Sequence, residues 1–193
     1  MRILIFIGTL IYCCACASLS PEQFSSIEKE KEIIPLAVGD QYVFKNYPFD
    51  IRNLVTKPVP PSDTLFVKDM LWKLIDPKFK VEGTDWFNYA VEITVKSTNS
   101  IEFSLVDSLG NTIGKKALEY NRKNSFSELK PKFWFWNNYI LINGFNSQVS
   151  AFAMDQEGNL IVAENFTDGA FLIIMPFAGS AHFEVYTYPR TRF

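Results

Sequence analysis

Between residues 87 and 96 the apolar positions fall on every second residue. Phe87, Tyr89, Val91, Ile93 and Val95 share one side of an extended chain, and Asn88, Glu92, Thr94 and Lys96 share the other. A period of two marks a strand with one buried face. "STNS" then turns the chain into Ile101, Phe103 and Leu105, and "DSLGN" turns that run into Thr112 to Tyr120. A first strand is expected at Gln41 to Lys45, with Tyr42 and Phe44 facing one way. The last third continues the habit at Tyr139 to Ile142, Val149 to Met154, Leu160 to Glu164, Phe171 to Met175 and Phe183 to Tyr188. Turns are expected at "DQEGN" and "FTDG". With short turns and no long helical pattern, parallel crossovers are hard to build. The predicted fold is therefore mainly β: one domain, an antiparallel meander that forms a strongly curved open sheet or a barrel-like wrap.

Three stretches depart from this rhythm. In "LFVKDMLWKLIDP" the residues Val67, Met70, Leu71 and Leu74 recur at helical spacing, while Met70, Trp72 and Leu74 also alternate; the segment is read as a strand ended by Pro77. Ser18 to Ile34 carries Ser20, Pro21 and Gln23 in the places of an N-cap, first helical residue and capping-box partner, with Phe24 and Ile27 one turn apart. Its charged "EKEKE" run favours a solvated tether over a short helix. In "PKFWFWNNY", Phe133 and Phe135 oppose Trp134 and Trp136, so neither face is polar. A central strand covered on both sides accounts for it, because large aromatics are usually core. The functional alternative is an aromatic contact surface in which Trp134 and Trp136 stack on or anchor a sugar, lipid or protein partner.

Composition narrows the partners. Nineteen Lys and Arg face 21 Asp and Glu, a net charge of −2. A mildly acidic surface does not seek phosphate backbones, so nucleic acid is not an expected partner. The 18 phenylalanines argue instead for a substantial aromatic core.

All three cysteines, Cys13, Cys14 and Cys16, stand directly behind an apolar N-terminal stretch, Ile3 to Tyr12, preceded by Arg2. That arrangement reads as a secretory signal, too short to span a bilayer comfortably. Cleavage after Ala17 would release a soluble chain without cysteine. The stretch also resembles the lipobox of bacterial lipoproteins, which places lipid on Cys16, with Ala15 before it, or alternatively on Cys14, with Ile11 three residues before. The expected organisation is a leader over 1–16, a tether or short helix over 17–34 and a β domain over 35–193. Once processed, the domain has no intramolecular disulfide available and must bury its own core.

The run Pro35-Leu36-Ala37-Val38-Gly39-Asp40-Gln41-Tyr42-Val43-Phe44 resembles the opening of exported bacterial lipoproteins of unknown role, which start their mature domains with Pro-Leu-x-x-Gly and an aromatic-x-aromatic strand. A weaker echo of their late Pro-Leu-x-x-Gly segment lies at Met175 to Phe183. The resemblance implies a β-rich, lipid-anchored envelope protein at the bacterial outer membrane or in the periplasm. It carries no catalytic residue and no substrate.

Candidate chemistry is sparse. His182 is the only histidine; on "AHFEVYTY" it shares a face with Glu184 and Tyr186 and is read as part of a solvated strand face. Asp155, Glu157, Gly158 and Asn159 suggest a calcium loop, but Phe166 occupies the twelfth position where a bidentate Glu is needed, so they are assigned to a turn. Asp107, Gly110 and Asn111, and Asp168 with Gly169, are assigned to turns likewise. No metal site and no cofactor is expected. Among the acids, Asp69, Asp76, Glu82 and Asp85 are candidates for a carboxylate pair of the kind glycoside chemistry uses. Three functions follow in order: a lipid-anchored, non-enzymatic envelope protein that binds or organises a partner; a carrier of a hydrophobic ligand in a pocket of the curved sheet; and a carbohydrate-active enzyme. A small outer-membrane barrel is set aside, because Pro189, Arg190 and Arg192 spoil a lipid-facing alternation in the last strand.

Overall fold

The structure is a computed structural model that describes residues 19–53, 70–80, 88–139, 142–172 and 175–191. Among the described residues eleven strands form one antiparallel sheet curled into a half-barrel, so the wrap expected from the turn spacing is what forms. The strands are β1 (Ile33–Ile34), β2 (Gln41–Lys45), β3 (Asp50–Asn53), β4 (Ala90–Ser97), β5 (Ser100–Val106), β6 (Thr112–Lys123), β7 (Phe126–Leu129), β8 (Lys132–Tyr139), β9 (Ile142–Asp155), β10 (Leu160–Leu172) and β11 (Met175–Tyr188). Their order is β2-β4-β5-β6-β7-β9-β10-β11-β3, with β1 and β8 both pairing β9 off this path. One end of the curl is stitched shut. Lys45 N donates to the Pro189 carbonyl at 2.9 Å, and Thr191 N donates to that of Val43 at 2.9 Å, around a Phe44–Arg190 bridge.

Alternation along the strands sorts the core into two layers. The concave layer contains Tyr42, Phe44, Val91, Ile93, Phe103, Phe152, Met154, Leu160, Val162, Tyr186 and Tyr188. The convex layer contains Phe126, Val149, Ala151, Ala153, Ile161, Ala163, Phe183 and Val185. Each has its own helical cover. Helix α1 (Pro21–Glu30) lies on the convex side through Leu19, Phe24 and Ile27, with the Phe24 and Phe126 rings 5.0 Å apart. Alanines at 151, 153 and 163 leave room for it. Its start follows the sequence signature: Ser20 Oγ accepts from Gln23 N at 3.3 Å, and Gln23 Oε1 accepts from Ser20 N at 2.7 Å. The segment weighted towards a tether is thus a docked helix, because the two apolar residues one turn apart find a sheet face to cover.

Helix α2 (Leu71–Ile75) corrects the strand assigned to "LFVKDMLWKLIDP" over the part of it that is described. Leu71, Trp72, Leu74 and Ile75 are all buried, whereas a strand would bury only alternate residues on one side. Inserted into the curl, this short helix buries four of its five residues, and Lys73 is half-buried. Asn46, itself fully buried, serves as its remote cap: its carbonyl accepts from Leu71 N and its Oδ1 from Trp72 N, both at 2.9 Å. Trp72 nests on Gly114 of β6, where an added Cβ would sit 2.9 Å from Cζ2.

The C-terminal meander has fewer and longer strands than the pattern predicted. "FTDG" is no turn: β10 runs through it, paired with β9 and β11 on both sides. Gly169 is needed there because Phe145 of β9 lies across it, and a Cβ would come within 2.4 Å of that ring. The expected strand Phe171 to Met175 spans the place where β10 ends and β11 begins. The turns at Asp107 and Asp155 form as read, with Asn111 N and Asn159 N each donating to the Asp Oδ1 at 2.8 Å and Gly110 and Gly158 at φ +81°.

Candidate functional site

Strand register builds the site. Three lateral rows cross the concave face where β8 to β11 extend beyond α2: Ser150–Glu164–Glu184, then Lys132–Gln148–Phe166–His182, then Trp134–Asn146–Asp168–Ser180. Neighbouring strands lie about 4.8 Å apart, so each row is a ladder of touching side chains. The rows continue the faces that bury Met154 and Phe152, Leu160 and Val162, and Tyr188 and Tyr186 nearer the closed end. Here the inward residues become polar, and the curl stays open. The resulting cleft has a volume of about 1120 Å³, floored by Leu74, Ile75 and Pro77 of α2 and its exit, with Leu118 of β6 on one wall.

The two glutamates define its chemistry. Glu164 and Glu184 stand directly opposite each other across β10 and β11. Burial pushes the Glu164 carboxyl above the usual range; hydrogen bonds from Gln148 and Ser150 oppose this, and the adjacent Glu184 adds to it. Both bonds reach the same oxygen, Oε1, with Ser150 Oγ at 2.9 Å, so Oε2 is the oxygen left to hold a proton. Glu184 Oε2 accepts from the Tyr186 hydroxyl, and burial first, then that bond, raises the tyrosine pKa. At the other end of these rows His182 Nε2 lies 3.1 Å from Ser180 Oγ, which donates to Asp168. His182 is exposed, so the solvated reading of its own position holds, but the face it shares lines the cleft.

The lysines around the rim are mostly committed. Lys132 donates to the Leu74 carbonyl at 2.9 Å, its pKa lowered by burial, and Lys116 pairs with Asp76 at 2.9 Å. Burial opposes ionisation of Asp76, but Lys116 and a hydrogen bond from the Lys78 backbone outweigh it and lower the pKa. Both lysines tie the exit of α2 to the sheet and so fix the floor.

Trp134 occupies the mouth. Its ring packs on Phe166, centroids 6.1 Å apart at 50°. With the Asn146 amide oriented to satisfy both of its neighbours, its oxygen accepts from Trp134 Nε1 at 2.8 Å while its nitrogen donates to the Phe145 carbonyl at 2.9 Å. The indole is held by its edge and still 39% exposed. β8 is no central strand: among the described residues it pairs with β9 alone, and Phe133 and Phe135 are also exposed, the latter by 73%. Trp136 is placed on β8 opposite Gly144, and its side chain lies outside the described residues.

No protein-family model, curated protein or solved structure matches the chain. The site is therefore read from its own chemistry. Of the acids singled out by sequence, Asp76 reaches the cleft, and Asp69, Glu82 and Asp85 lie outside the described residues, as do Cys14 and Cys16. The carboxylates the fold brings together, Glu164 and Glu184, were missed. Their only signal was polar residues continuing the inward period of two beyond Val162 and Tyr186, which looks the same as a solvated face until the curl is known. Among the described residues no three His, Cys, Asp or Glu side chains gather to hold a metal ion, and no helix is long and apolar enough to cross a membrane.

Proposed function

We propose that this chain is an envelope lipoprotein, acylated at Cys16 and non-enzymatic, whose half-barrel holds a small ligand in the cleft between α2 and the outer reaches of β8 to β11. One observation carries the reading: the concave face is left unfilled where its residues turn polar, in an opening of about 1120 Å³ with three aromatic rings, Trp134, Phe166 and Tyr186, and converging polar groups. Ligand sites are typically concave, partly apolar and supplied with a few placed polar groups. The leader supports the anchor, since each buried acyl methylene adds about 0.8 kcal/mol and several chains make release negligible.

Glycoside hydrolysis is the reading that Glu164 and Glu184 favour next, because two carboxyl groups do meet in one cleft. Binding is preferred on geometry. The two acids project from neighbouring strands of a single wall, whereas hydrolysis requires acids that flank the scissile bond from two sides.

Intact-mass measurement of protein extracted from its native membrane tests both halves of the proposal. A chain beginning at Cys16 with added acyl mass, and a low-mass adduct retained under non-denaturing conditions, are expected. Retention of Met1 without lipid would remove the anchor. The absence of any adduct, even after incubation with a low-mass extract of the same cells, would remove the ligand.

A further inference from the structure

We infer that the ligand is a carbohydrate, with a sugar ring lying against Trp134 and its hydroxyls bonded by Glu164, Gln148 and His182; this rests on the ligand-binding reading above. A hydrocarbon chain laid along the cleft would cover the polar rows and strip water from Gln148 and His182 without replacing its hydrogen bonds, at a cost for each group. An anion would meet the Glu164–Glu184 pair, and of the four lysines that line the cleft Lys132 is engaged on the Leu74 carbonyl, Lys73 on that of Phe79 and Lys116 on Asp76, while Lys78 stands on the turn beyond α2. A cation would face those same lysines across the cleft. What remains is a neutral molecule with one flat apolar face and a polar circumference.

A sugar has that shape, and its hydroxyls both donate and accept. The rows offer both roles side by side. Among the described residues no donor claims Glu164 Oε2, the Gln148 amide carries a second N–H beyond the one given to Glu164, and the exposed His182 ring can present a donor or an acceptor. Their spacing across strands is set by the sheet, so the partners are preorganised at intervals of about 4.8 Å. Trp134 is fixed in the same way: Phe166 and Asn146 hold the indole while more than a third of it stays open. A held, partly exposed aromatic beside planar hydrogen-bonding groups fits a ring that is apolar on its face and polar at its rim.

The test uses the full acylated chain in vesicles of phosphatidylethanolamine and phosphatidylglycerol, so that no sugar-headed detergent competes. Cellobiose, maltose, N,N′-diacetylchitobiose and their tetramers are titrated by calorimetry and tryptophan fluorescence, with oleate and trialanine as comparators. Saturable binding of at least one saccharide series is expected. Trp134→Ala and Glu164→Gln should each weaken it about tenfold or more, and Phe135→Ala should leave it unchanged. Circular dichroism checks that every variant is folded. Saturable binding of oleate or trialanine with no saccharide binding would overturn the carbohydrate assignment and leave the ligand-binding reading standing. Saccharide binding indifferent to both Trp134→Ala and Glu164→Gln would overturn the site. Failure of all three probe classes, together with no native adduct, would overturn both readings.

Discussion

The three long strands β9, β10 and β11 each pass through two environments. Near the closed end their inward residues, Phe152, Met154, Leu160, Val162, Tyr186 and Tyr188, pack around α2 and are almost wholly buried. Farther along the same strands the inward residues Gln148, Glu164, Phe166, Glu184 and His182 line a cleft. Backbone pairing hardly changes between the two, with β9 and β10 in unbroken register from Met154 to Ile142. The difference lies in side-chain chemistry and in where the α2 plug stops. Stability resides in the filled half, and the open half is free to carry polar groups that a packed core would not tolerate.

The largest effect that could break this contrast is loss of the plug. Trp72→Ala should cost about 3–5 kcal/mol, read from the shift in urea midpoint, because a fully buried indole leaves a cavity the sheet cannot collapse into. Among the described residues its Nε1 has no acceptor, so the loss is one of packing. A cost below about 1 kcal/mol would mean that α2 is not a structural plug. Gly114→Ala should follow at about 1–3 kcal/mol, since the new methyl meets Trp72 from the other side. A double variant with Trp72→Ala should recover most of that penalty.

In the open half the effects are smaller and tied to pH. Glu164 has its folded-state pKa raised above the ordinary 4.5, so the native state binds the extra proton and stability declines as pH rises from about 4.5 through the folded value. Glu164→Gln, which cannot ionise, should flatten the melting temperature over that window and leave the variant at least as stable as the parent at neutral pH. A steeper fall in the variant would show that the carboxylate is stabilising when charged. Smallest of all, Trp134→Ala should stay within about 0.5 kcal/mol in denaturant melts, because the ring is at the mouth of the cleft and outside the core. A larger loss would make it a packing residue and weaken its role as a contact surface.

Much of the architecture was legible from periodicity. The alternation at Val91, Ile93 and Val95, the Asx-type turns at Asp107 and Asp155, and the capping box at Ser20 all rest on interactions between residues close in sequence. The misread segments are those whose structure depends on remote neighbours. "MLWKLI" alternates well enough for a strand, and it becomes a helix because Asn46 supplies its cap and the curl surrounds it. "FTDG" has turn chemistry, and it stays extended because β9 and β11 pair it on both sides. The aromatic run "FWFW" suggested a buried centre and lies on β8, which among the described residues has one partner strand, because nothing local records how many neighbours a strand will acquire.

By itself the sequence determined that the chain would fold into an antiparallel β domain with an aromatic core, since period, turn residues and composition are local properties that any compact fold of this chain must respect. Only the tertiary structure decided which inward-facing residues would be buried and which would line an opening. Glu164 and Val162 occupy equivalent positions in the alternation of β10; the end of a short helix inserted from a distant part of the chain separates core from cleft.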